Sequence, residues 1–134
     1  MTDQIETLPG ALPAAEPCLR AIAMPADTNP SGDIFGGWLL SQMDLAGSTV
    51  ATRRAKGRVA TVAVTSMVFR QPVFVGDELS CYGKISKIGR TSITVSVESW
   101  VRRGVGTEAI KVTEGLFTYV AIDGNRRPRE IGAD

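Results

Sequence analysis

Hydrophobic and polar positions change rhythm twice along this chain. Residues 18–24 (Cys-Leu-Arg-Ala-Ile-Ala-Met) alternate enough for an edge strand, and the Pro, Asn, Asp and Gly of residues 25–33 predict a loop. From Gly36 to Ala55 there is no proline. Trp38, Leu39, Leu40, Met43, Leu45, Ala46, Val50 and Ala51 spread apolar groups around most of a cylinder there, which predicts a buried helix roughly 30 Å long. Arg53, Arg54 and Lys56 suit the negative pole of its dipole, and Gly57 is expected to stop it.

Beyond Gly57 the texture turns to β. Residues 58–75, 78–88, 91–103 and 108–122 are rich in Val, Thr, Ile and Phe, and Gly76-Asp77, Gly89-Arg90 and Gly104-Val105-Gly106 separate them as turns. Short turns between consecutive strands predict an antiparallel meander that the long helix covers on one face, an α+β layout. Residues 1–17, with three prolines and few large apolar side chains, read as a flexible arm. Residues 18–123 form the expected domain, and 124–134 a polar tail.

Composition narrows the function classes. A chain of 134 residues with 43% hydrophobic content fits one domain. A net charge of +1 argues against a protein that recruits nucleic acid by overall charge. No apolar run approaches the ~18–20 residues that cross a bilayer, and the start lacks the positive and apolar regions of a secretory signal, so a cytoplasmic protein with no membrane partner is expected. Cys18 and Cys81 are single and widely spaced, giving neither a zinc pattern nor a disulfide framework. The chain has no histidine, which excludes Ser-His-Asp and Cys-His mechanisms and leaves acid–base chemistry to a carboxylate.

One carboxylate stands out. Asp44 lies between Met43 and Leu45 in the apolar helix, where it is costly unless paired, neutralised or used. It reads as a general base or nucleophile, or as a structural aspartate bonded to Ser41 or Ser48; Ser48, one turn on, shares its face. Gly36 and Gly37 open the same helix. First-turn N–H groups lack internal partners and suit a developing oxyanion, and glycine lets a ligand approach them; the pair would equally ease a tight entry turn. Eight residues of helix separate Gly36 from Asp44 by about 12 Å, too far for both to touch one reacting carbon. Two antiparallel copies across a two-fold axis would bring the helix start of one chain to Asp44 of the other and make two equivalent sites.

The segments Asp27–Gly47, Phe69-Arg-Gln-Pro-Val73 and Ile88-Gly-Arg-Thr-Ser-Ile93 resemble the hotdog-fold acyl-CoA thioesterases of the bacterial YciA type, over about residues 18–130. The resemblance implies a long helix wrapped by a curved antiparallel sheet, double-hotdog dimers assembled as a trimer of dimers, and hydrolysis of acyl-CoA to a carboxylic acid and coenzyme A without metal or cofactor. It makes Asp44 the catalytic carboxylate, Gly36 the backbone donor to the thioester carbonyl, Asn29 the residue that positions water or substrate, and Ser48 an assisting hydroxyl. Asn29 is equally an Asx-turn residue before Pro30. Phe35 and Gly37 would flank the substrate, with Phe35 standing where several relatives carry histidine.

Coenzyme A phosphates call for cations, and three clusters compete: Arg53/Arg54/Lys56/Arg58, Lys84/Lys87/Arg90 and Arg126/Arg127/Arg129. Arg90 with Thr91 and Ser92, on a glycine turn rich in donors, is the favoured contact. The alternative function is a non-catalytic acyl-CoA or nucleotide-binding hotdog module in which Asp44 is structural.

Overall fold

A computed structural model describes residues 10–133. Strand β1 (Leu19–Ile22) and a 3₁₀ turn (Pro25–Asp27) precede the helix α1 (Gly36–Ala55). Strands β2 (Val59–Phe69), β3 (Glu78–Ile88), β4 (Ser92–Arg102) and β5 (Ala109–Ala121) follow. The helix matches the range free of proline. Its buried stripe, Leu39, Met43, Ala46, Gly47, Ala51 and Ala55, recurs at three- and four-residue steps and packs on the sheet. Opposite it, Val95, Val97, Phe117 and Tyr119 point inward from β4 and β5 at every second position and are fully buried.

The helix is covered on one side only in the single chain. Leu45, expected in a helix buried all round, is 55% exposed. Its stop also differs from expectation: Lys56, not Gly57, takes the left-handed conformation, at φ 58°. A Cβ at Gly57 would lie 2.6 Å from Arg129 Nη2, so that guanidinium would have to shift to admit one.

The sheet is antiparallel throughout, in the order β1-β3-β4-β5-β2. Only β3, β4 and β5 form the expected meander; β2 crosses to the far edge and pairs with β5, from Val59 opposite Ala121 to Phe69 opposite Thr113. The crossing starts early because Pro72 has no N–H for a ladder, so the strand expected to reach residue 75 ends at Phe69. The crossing segment is tied beside the helix start through Ile34 N–H to Val73 O, 3.1 Å. The edge strand β2 keeps Thr61–Ser66 exposed, Val62 at 57%.

Residues 1–9 of the expected arm and residue 134 of the tail lie outside the described residues; Gly10 bonds Ala109 in both directions, at 2.7 and 2.6 Å. Residues 129–132 pack against the domain. Arg129 Nη2 donates to Ala55 O at the helix end (2.7 Å), Ile131 N–H donates to Arg90 O (3.0 Å), and the Ile131 side chain rests on the core. No described helix is long and apolar enough to cross a membrane.

Candidate active site

The helix start is built by a loop that holds itself together. Asn29 Oδ1 accepts from the N–H groups of Ser31 (2.9 Å) and Asp33 (3.1 Å), while Asn29 N–H donates to Asp33 O. Phe35 N–H donates to Asp27 O, which aims the chain into the helix. Within the helix the first donor is Trp38 N–H, to Phe35 O at 3.1 Å, so the N–H groups of Gly36 and Gly37 precede the internal ladder. Both glycines are exposed. A cavity of about 250 Å³ opens beside Gly36, lined also by Ile34, Phe35, Leu39, Phe69, Arg70 and the turn after it. The Phe69 ring lies over Gly36, where a Cβ would be 3.6 Å from it.

Arg70, whose side chain is 4% exposed, is held in that wall by Glu114. Lys111 Nζ also pairs with Glu114, at 2.6 Å. Burial alone would raise the Glu114 carboxyl, but hydrogen bonds and charge from Lys111 and Arg70 outweigh it and hold the group below the usual carboxylate range.

Asp44 lies two turns along the helix, half-buried, and is held by neighbours that the sequence did not flag. Thr61 Oγ1 donates to Asp44 Oδ1 (2.8 Å) from the edge strand β2. The Tyr119 hydroxyl, rising from β5, is shared between the Asp44 backbone carbonyl (2.9 Å) and the same Oδ1 (3.0 Å). Burial, then the negative charge of Asp44, push the Tyr119 phenol far above its ordinary range, so it stays protonated and donates. Ser41 and Ser48 instead donate to the carbonyls of Trp38 and Leu45, each at 2.7 Å.

Two groups of predicted residues are thus brought together, around Gly36 and around Asp44, but not with each other. Arg90, Thr91 and Ser92 form a third, in the β3–β4 turn: Gly89 N–H donates to Ser92 O, and Ala121 N–H to Thr91 O. Among the described residues no group of His, Cys, Asp and Glu is arranged to hold a metal. One signal for Tyr119 existed, because it alternates in phase with Phe117 and Ala121 and an inward tyrosine needs a partner for its hydroxyl. An exposed strand threonine such as Thr61 gives no such signal.

The sequence profile of the thioesterase superfamily matches residues 31–107. The chain belongs to this superfamily. The acyl-CoA thioester hydrolase YciA of Salmonella typhimurium is 51% identical over 123 residues, covering 89% of this chain and 92% of its own. HI0827, a hexameric broad specificity acyl-coenzyme A thioesterase, shares 48% identity at a TM-score of 0.85, over 93% of this chain and 86% of its own. Cj0915, a hexameric hotdog fold thioesterase of Campylobacter jejuni, shares 45% at 0.84, over 88% and 91%. As in that superfamily, the helix on its five-stranded sheet is a hotdog fold.

Proposed function

We propose that this thioesterase hydrolyses acyl-CoA thioesters at a site shared by two copies of the chain. The observation that carries this reading is the separation on one helix of two half-sites. Asp44 has one oxygen fixed by Thr61 and Tyr119, and the Gly36 N–H lies about 12 Å away along the axis. A two-fold axis between antiparallel helices joins each half to its complement. The surface that would meet there is apolar and open: Leu45 flanks Asp44, and the exposed edge of β2 is a strand awaiting a neighbour. Three such dimers would make a hexamer.

Both bonds to the Asp44 carboxylate fall on Oδ1, which leaves Oδ2 to act. As general base, Oδ2 takes a proton from water while the water oxygen bonds the thioester carbon. The oxyanion that forms is held by the partner copy's helix start, Gly36 N–H first. Its collapse breaks the C–S bond, and the leaving thiolate recovers the proton. As nucleophile, Oδ2 would bond the carbon itself, the oxyanion would collapse with cleavage of the C–S bond and departure of the thiolate, and water would then cleave the resulting anhydride to the two carboxylates, its released proton going to the thiolate. Label found in Asp44 after single turnover in ¹⁸O-water would mark the anhydride. Thr61 is the assisting hydroxyl in either route. Asn29, its Oδ1 committed to the loop, offers its amide N–H to water or the thioester; Phe35 and Gly37 flank the acyl group. The two free thiols suit a reducing cytoplasm.

The test is thiol release from acyl-CoAs of rising chain length by the wild type and Asp44→Asn, each of confirmed oligomeric mass. Wild-type turnover that vanishes in a normally assembled variant supports the reading. Coenzyme A binding with no wild-type turnover would replace it with a binding module, and a fully active variant would remove Asp44 from the chemistry.

A further inference from the structure

The crossing from β2 to β3, residues 70–77, is anchored near both ends by its backbone. The N–H groups of Arg70 and Gln71 donate to Val112 O (2.7 and 3.4 Å), and Gly76 N–H donates to Ala23 O (2.8 Å). Between these anchors Pro72 has no N–H to give. The same middle stretch, Pro72 and Val73, lines the cavity beside Gly36. A side chain from another element takes hold of it there: Arg103, one residue past the end of β4.

One guanidinium serves three parts of the crossing. Arg103 Nη2 donates to Pro72 O (2.8 Å), and Nε faces both Asp77 oxygens at 3.1 Å. The guanidinium carbon stands 4.6 Å from the centre of the Phe74 ring. Asp77 is 3% exposed, and its Oδ2 also accepts from Phe74 N–H (2.9 Å). Asp77 N–H returns a bond to Phe74 O (3.0 Å) around Gly76, whose φ of 91° closes the turn. The preceding residue, Arg102, takes Glu78 instead, through Nε at 2.9 Å.

This knot lies one link from the helix start. Val73, the residue after the carbonyl that Arg103 holds, accepts from Ile34 N–H at 3.1 Å. Two residues of chain, at most about 7 Å, separate Ile34 from Gly36. Gly36 is exposed and has no side chain of its own to fix it, so its place depends on what borders it: the Phe69 ring on one side and the Ile34–Val73 bond on the other. A backbone donor aimed at a developing oxyanion is sensitive to such support, because a displacement of about 1 Å costs rate.

We infer that Arg103 is a positioning residue for the hydrolysis, holding Pro72 and Val73 against the helix start so that the Gly36 N–H keeps its aim at the thioester carbonyl. The inference rests on the acyl-CoA reading above and adds to it a residue outside both half-sites. Arg103 reaches the reaction only through the crossing, so its loss weakens the oxyanion donor while leaving Asp44 and its two bonds in place.

The experiment compares kcat and KM for one acyl-CoA in the wild type, Arg103→Ala and Arg102→Ala, each of confirmed oligomeric mass. It also records the infrared carbonyl band of an acyl-CoA carrying ¹³C at the thioester carbon, bound to Asp44→Asn with and without Arg103→Ala. Arg103→Ala should lower kcat about tenfold with KM within about threefold, and Arg102→Ala, which removes a comparable ion pair next door, should stay within about twofold in both. The carbonyl band, lowered by the backbone donor in Asp44→Asn, should move back toward that of the free thioester when Arg103 is also lost. Should Arg103→Ala not assemble, Arg103→Met, which keeps the stem beside Phe74 and loses every donor, carries the same comparison. Unchanged kcat, a loss equal in the Arg102 variant, an effect confined to KM or an unmoved carbonyl band would each overturn the inference. A wild type without turnover would end the hydrolase reading. A lowered band in that wild type, relaxed by Arg103→Ala, would then still support the positioning role, and an unmoved one would remove it.

Discussion

The Tyr119 hydroxyl bonds both the backbone carbonyl and the side-chain Oδ1 of Asp44, at 2.9 and 3.0 Å, so one sheet residue fixes the helix and the carboxylate it carries. Tyr119→Phe keeps the ring in the core and removes the donor. We expect kcat to fall about tenfold and stability to fall by about 1–2 kcal/mol, the cost of leaving a buried acceptor unpaired. Steady-state kinetics and thermal unfolding on one preparation check both; unchanged kcat would show that Thr61 alone orients Asp44.

Thr61 supplies the second donor to that oxygen from an exposed position, so its removal separates chemistry from folding. Thr61→Val should lower kcat by about 10–100-fold with little change in melting temperature, and Thr61→Ser should stay within about threefold of wild type. Equal losses in both variants would point to the methyl group and to packing at the edge strand.

Gly47 is the room in which the tyrosine hydroxyl sits. A Cβ at this position would overlap Tyr119 Oη and lie 3.2 Å from Val97 Cγ2. Gly47→Ala is expected to destabilise by about 1–3 kcal/mol and to displace the hydroxyl from Asp44. In a double-mutant cycle with Tyr119→Phe, part of that cost should disappear because the nearest clashing atom is gone. Strict additivity would mean the helix shifts as a body instead.

The ion pairs around Arg70 set an acid limit. The Glu114 carboxyl is held low in the folded state, so it contributes stability above the ordinary unfolded value of about 4.3 and loses it as pH falls through the folded value. Glu114→Gln should lower stability at neutral pH, because Arg70 and Lys111 lose the carboxylate charge they share. It should also flatten the fall in melting temperature between roughly pH 5 and 3. A variant with the wild-type slope would assign the acid limit to other carboxylates.

How much of this was legible in the sequence differs by element. The helix announced itself at both ends, since the glycine pair, the stretch without proline and the terminal cations are all local signals. The β3–β4 turn was equally local. The placement of β2 was not, because its alternation says that it is a strand and nothing about which edge it joins. Asp44 was visible as an acid among apolar residues, whereas its partners come from strands far along the chain. The docking of the tail turns on Ile131, a single apolar residue in a polar run, and on Arg129, whose role at the helix end only packing reveals.

The register of β2 also bears on how the chain is made. Val59 must find Ala121 and Phe69 must find Thr113, so on a ribosome this strand emerges long before the strand it pairs with. The β3–β4 and β4–β5 hairpins close from nearby residues and form first, while β2 waits with its Val and Thr side chains uncovered. The strand proposed to meet a second copy is therefore completed last within its own chain, which couples folding to assembly and makes β5 the element whose truncation strands both.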